Sequence, residues 1–173
     1  AVVTVGNYAF ANTPIESATF SDALTLIGDN AFSNAASLET VTLGDNAQIG
    51  YMAFYNCSAL TKITIPQNVT AIGNEAFIGC SGLTSVSIHN NVTVIGEEAF
   101  YGCKNLSSIT IPSSVTSIDY GAFAGCTGLK NVTIPNNVTS IGSEAFMNCS
   151  NITEISFSKN VTSIGTNAFR NCK

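Results

Sequence analysis

Six cysteines, Cys57, Cys80, Cys103, Cys126, Cys149 and Cys172, stand in strict register, each 23 residues after the last. Thiols can bridge, hold a metal or attack an electrophile, and each of these uses needs partners to converge on one point. A step this regular instead puts each thiol on a different copy of one unit. Each has Phe three residues before it, and the first five have Leu or Ile three residues after it. The spacing therefore favours a row of free thiols buried beside aromatic rings over a disulfide framework or a metal site. In apolar surroundings the thiolate is disfavoured, so these groups are poor nucleophiles and poor ligands.

The other reactive types are sparse. His89 is the only histidine and occupies a turn position that is Pro66, Pro112 and Pro135 in other copies, which predicts a solvated loop residue. Without a second histidine, and without a Gly-rich loop running from strand to helix, neither a Ser-His-Asp set nor a phosphate cradle is expected. Glu75, Glu98 and Glu144 share a column, one per repeat, and read as surface solubility rather than paired catalytic carboxylates. We therefore expect no catalytic residue, cofactor or metal, and no enzyme. Six Lys and Arg, placed singly in a chain of net charge -5, leave no basic cluster for a phosphate backbone, so nucleic acid is not an expected partner. No apolar run approaches the ~20 residues of a membrane-spanning helix, and membrane insertion is not expected.

These residues are positioned by a repeat. Ala-Phe ends at Phe10, Phe32, Phe54, Phe77, Phe100, Phe123, Phe146 and Phe169, in steps of 22 residues twice and 23 thereafter. A fixed period of this size marks a solenoid, each repeat being one coil stacked on the last. In the copy Leu83 to Gly102, Val86 and Ile88 alternate with Ser85 and Ser87, as in a strand with one buried face. One such strand per coil, all parallel, predicts a continuous sheet. A second extended piece, Val92 to Ile95, follows the turn.

The next column reads Gly6, Gly28, Gly50, Gly73, Gly96, Asp119, Gly142 and Gly165, and predicts a backbone near positive φ. Ala99, Phe100, Cys103 and Leu106 then show helical spacing, which predicts a short helix or 3-10 turn with Glu97 and Glu98 at its N-terminus. Only Asn or Gly stands two residues after each Phe of the Ala-Phe column, as expected for a left-handed closing residue. The two shorter repeats should be the least regular, and all ten Phe fall in core columns.

The run Leu-x-x-Val-x-Ile-Pro-x-x-Val-Thr-x-Ile-Gly-x-x-Ala-Phe-x-x-Cys, as in Leu129 to Cys149, resembles the BspA-like, or Treponema-type, leucine-rich repeat over nearly the whole chain. The resemblance implies an α/β repeat solenoid shaped as an arc. One parallel strand per ~23-residue coil would lie on the concave side, with short helical turns and a second extended piece on the convex side. Repeats of this class are typical of surface proteins of bacteria and some parasitic protists that adhere to host proteins or other cells. The chain starts and stops inside a repeat, so residues 1–173 are expected to form one solenoid of about 7.5 repeats, a piece of a longer secreted or cell-surface protein.

The expected activity is protein binding or adhesion to host matrix or cell-surface proteins through the concave sheet. The residues expected to carry it are Thr40, Thr42, Lys62, Thr64, Ser85, Ser87, Ser108, Thr110, Asn131, Thr133, Glu154 and Ser156. The alternative is a structural spacer or an end-to-end assembling filament unit. An ice- or crystal-binding threonine array is opposed by Lys62 and Glu154. Five tyrosines, Tyr8, Tyr51, Tyr55, Tyr101 and Tyr120, gather near the Ala-Phe segment as a second possible contact surface. Nine Asn-x-Ser/Thr sequences arise largely from turn chemistry repeated in each copy.

Overall fold

The computed structural model describes residues 1–173. It is a stack of parallel coils built from fourteen short strands, numbered here in chain order. One set, the inner pieces of the second extended segment, comprises β1 (Thr4–Val5), β3 (Leu26–Ile27), β5 (Gln48–Ile49), β7 (Ala71–Ile72), β9 (Val94–Ile95), β10 (Ser117–Ile118), β12 (Ser140–Ile141) and β14 (Ser163–Ile164). The other set forms the strand face: β2 (Ser17–Thr19), β4 (Thr40–Thr42), β6 (Lys62–Thr64), β8 (Ser85–Ser87), β11 (Asn131–Thr133) and β13 (Glu154–Ser156).

The longer sheets are formed by the second extended piece rather than by the strand face. The first set forms a three-stranded sheet, β1-β3-β5, and a five-stranded one, β7-β9-β10-β12-β14. The break between β5 and β7 coincides with the passage from the 22-residue to the 23-residue step, so the irregularity sits at the junction and not within the shorter coils. Threonine hydroxyls tie successive coils here: Thr93 donates to Thr70 O at 3.1 Å, Thr116 to Thr93 O at 3.2 Å and Thr162 to Thr139 O at 3.2 Å.

The strand face, by contrast, is three separate pairs, β2 with β4, β6 with β8 and β11 with β13. Residues 108–110 make no strand at all. Three-residue strands offer few rungs, and Pro66, Pro112 and Pro135 remove a donor where the chain leaves them.

No helix forms in the Gly-x-x-Ala-Phe segment, which corrects the expected helical turn with Glu97 and Glu98 at its start. Alternate amides divide their bonds instead. Ala99, Tyr101 and Cys103 donate three residues back, to Gly96, Glu98 and Phe100, while Glu98, Phe100 and Gly102 donate to Tyr120, Ala122 and Ala124 of the next coil. Left-handed residues recur every fourth position, Glu98 at φ 49° and Gly102 at φ 70°. Successive turns repeat apolar residues at one, three and three, as a helix would, and the waiting carbonyls of the next coil decide between the two.

The glycine column before this segment also has another cause than positive φ. Its members lack left-handed φ values, but a Cβ on Gly142 would lie 2.5 Å from the carbonyl carbon of Asp119, and one on Gly96 2.7 Å from Ile72 O. At Gly28, Gly50, Gly96, Gly142 and Gly165 the close passage of one coil over the next leaves no room for a Cβ, whereas Gly6 and Gly73 have space and Asp119 carries a side chain in the same column. Left-handed backbone belongs to the Asn/Gly column expected from sequence, from Asn12 at 58° to Gly125 at 73°.

The interior is one cluster of 44 buried residues running along the stack. At its centre the eight Phe rings of the Ala-Phe column stack, with centroids 5.0 to 5.4 Å apart and planes within 3 to 11° of parallel. Phe157, assigned to the core from sequence, is 46% exposed. It meets Phe169 edge-on at 5.6 Å in the last coil, where no further coil covers it.

Candidate functional site

On the strand face, the pleat turns Val41, Ile63, Val86, Val132 and Ile155 inward and their neighbours outward. Thr40, Thr42, Lys62, Thr64, Ser87, Asn131, Thr133, Glu154 and Ser156 are exposed and Ser85 is half-buried. Register brings Lys62 beside Ser85, Thr64 beside Ser87, Asn131 beside Glu154 and Thr133 beside Ser156. Ser108 and Thr110 are exposed as expected but stand outside any ladder. Between the unpaired neighbours β4 and β6 a shallow cleft of 250 Å³ opens, lined among others by Glu39, Thr40, Thr42, Thr61, Lys62 and Thr64. Hydroxyls flanked by one cation and one carboxylate can exchange hydrogen bonds with a polar surface.

The residues singled out for reactivity are held elsewhere. Cys57, Cys80, Cys103, Cys126 and Cys149 are free and buried, and Cys172 is half-buried. Each thiol donates to the carbonyl of the Phe one coil earlier, from Cys57 to Phe32 at 3.1 Å through Cys172 to Phe146 at 3.2 Å. Burial pushes the Cys103 and Cys149 thiols up to about 12 and raises those of Cys80 and Cys126 well above the ordinary range.

His89 is not simply solvated. Its Nε2 donates to Pro66 O, while its Nδ1 accepts from the Asn91 amide at 3.2 Å. Glu75 and Glu144 accept hydrogen bonds from Tyr51, 2.9 Å, and Tyr120, 3.1 Å. Glu98 lies between them, its carboxyl raised by burial first and then by Glu75, Glu97 and Glu144. No group of three or more His, Cys, Asp or Glu is placed to hold a metal ion, and no helix is long and apolar enough to cross a membrane.

The largest concavity, 610 Å³, lies on the turn flank and was not anticipated as a groove. Tyr55 and Tyr101 stand along it, with Asn34, Asn56, Ser58, Ser81 and Lys104 among its other lining residues. The sequence signal was the change within one column from Asn34 and Asn56 to Gly79, Gly102 and Gly125. Asn56 Nδ2 bonds Asn34 Oδ1 at 3.2 Å, and this row of amides stops where the glycines begin.

Comparison with known proteins agrees with this architecture. The crystal structure of the Treponema pallidum leucine-rich repeat protein TpLRR superimposes with TM-score 0.80 at 29% identity, covering 87% of this chain and 72% of that one. A leucine-rich repeat protein of Eubacterium ventriosum superimposes at 0.83 with 27% identity, over 92% of this chain and 44% of the other. Pneumococcal vaccine antigen PcpA, at 17% identity and TM-score 0.52, shares the fold. No curated protein sequence matches. The family model for the BspA type leucine rich repeat region matches in six copies across residues 3–129 and 47–173. The chain thus belongs to the BspA-type leucine-rich repeat family.

Proposed function

We propose that this solenoid is a protein-binding, adhesive module of a secreted or cell-surface protein, engaging host matrix or cell-surface proteins through its strand face. The observation that carries the reading is the outward row of short hydroxyls and amides, exposed at one coil spacing and broken only by Lys62 and Glu154. Such a surface makes hydrogen bonds and water bridges rather than a desolvated apolar seal. Seven coil positions, six steps of about 4.8 Å, span roughly 29 Å, a length suited to a protein segment. Affinity would come from many weak contacts or several copies. The engaged His89, Glu75 and Glu144 support a non-enzymatic role, and the surface placement follows what is typical of BspA-type repeats.

The test is binding to immobilised matrix and plasma proteins by wild type and two variants. One changes Thr64, Ser87, Thr110 and Thr133 together to Arg. The other changes Tyr55, Tyr101 and Tyr120 together to Ala. Loss of binding only in the first supports the strand face. A folded first variant that binds as wild type, or a wild type that binds none of them, overturns it.

A further inference from the structure

We propose that the turn-flank groove is a second, separate site, and that it takes a carboxylate-bearing oligosaccharide. Apart from Tyr8, the tyrosines divide into two groups. Tyr51 and Tyr120 spend their hydroxyls on Glu75 and Glu144, whereas Tyr55 and Tyr101, which line the groove, donate to no protein group. An aromatic ring at a groove wall, with its hydroxyl free, offers a flat apolar face to the C–H side of a sugar and a polar edge to its hydroxyls.

The floor supplies the complementary polar atoms. Asn56 uses its Nδ2 on Asn34 but leaves Oδ1 free, pointing over Gly79, where a Cβ would lie 2.0 Å from it. That acceptor exists because the amide row ends there, and the half-buried Ser81 lies beside it.

Charge selects within the saccharides. Of the eleven residues lining the groove, Lys104 is the only charged one and none is a carboxylate, although the chain carries net charge -5. A ligand with an acidic group is therefore matched locally by Lys104 and meets no carboxylate in the groove. Tyr55 and Tyr101 are two coils apart, steps of 5.3 and 5.4 Å along the adjoining Phe stack. This advance is close to that of one sugar unit per coil in an extended oligosaccharide, so the groove suits two or three linked rings. Its 610 Å³ fits a ligand of that size.

The experiment is saturation-transfer NMR and calorimetric titration of the protein with sialyllactose, with a galacturonic acid trimer, and with lactose as the neutral control. The two acidic probes separate a terminal sialic acid from a uronate chain as the source of the carboxylate. Gly102→Asn is the filling variant. Asn occupies the same left-handed column elsewhere, and a Cβ at Gly102 has no atom nearer than 3.9 Å, so the fold is retained while an amide closes the floor. We expect one acidic probe to bind about tenfold or more tightly than lactose, Lys104→Ala to erase that preference, and both Gly102→Asn and Tyr101→Ala to abolish binding. Failure of both acidic probes at millimolar concentration, equal binding of lactose, or full binding by Gly102→Asn overturns the proposal. Because the strand-face variant leaves this groove intact, its result and this one stand apart.

Discussion

The Cys80 thiol donates to the carbonyl oxygen of Phe54, 3.0 Å away and one coil earlier. Repeated from Cys57 to Cys172, this bond makes the protonated thiol part of the interior. Folding therefore favours the neutral form, and the raised thiol values set the direction of the pH dependence. Stability is full below the ordinary thiol range, about 8.5, and is lost as pH rises toward about 12, where Cys103 and Cys149 ionise in the fold. Chemical unfolding between pH 8 and 12 should show this decline, and Cys103→Ala should make it shallower by about 1.4 kcal/mol per pH unit. An unchanged slope would contradict the assignment.

Reagent access follows from the same row. Native protein should react with a thiol reagent at Cys172, which is half-buried, long before the five buried thiols, and all six should react once denatured. Mass spectrometry of the partially labelled protein reads the order directly.

The Phe stack should be the most sensitive part of the interior. Phe100 is fully buried between Phe77 and Phe123 at 5.4 Å on either side, so Phe100→Ala is expected to cost about 3–5 kcal/mol. Phe157, nearly half exposed, should cost only about 1 kcal/mol on the same change. Denaturant midpoints of the two variants test the contrast.

Two glycines separate close passage from backbone conformation. Gly142→Ala places a methyl group against the Asp119 backbone and should cost about 3 kcal/mol, since backbone atoms cannot yield cheaply. Gly102→Ala meets no such obstacle but enters left-handed φ, for about 1–2 kcal/mol. Were the two losses reversed, positive φ and not steric approach would explain the Gly142 column.

Recurring asparagines at the turns act as rungs. Asn68, Asn91, Asn137 and Asn160 each donate through Nδ2 to the preceding coil, Asn137 to Ser113 O at 2.7 Å. These are four of the nine Asn-x-Ser/Thr positions, and the bonding explains their repetition without glycosylation. Asn137→Ala should lose about 1 kcal/mol, and Asn137→Asp, which has no amide donor, should not restore it.

Much of the architecture was determined by sequence alone, because a solenoid writes its geometry into a period. The number of coils, the inward columns of Ile, Val, Phe and Cys, the outward strand-face residues and the left-handed Asn/Gly positions are each local properties repeated in register. Tertiary structure decided what depends on the distance between coils. It chose stacked turns over a helix from Gly96 to Cys103, because alternate amides there find carbonyls on the next coil. It built the longer sheet from the second extended piece and broke the strand face into pairs. It also opened a groove where Gly79 and Gly102 interrupt the amide row. Periodicity records which way a residue faces, but which neighbour takes its hydrogen bond is settled only when one coil lies on another.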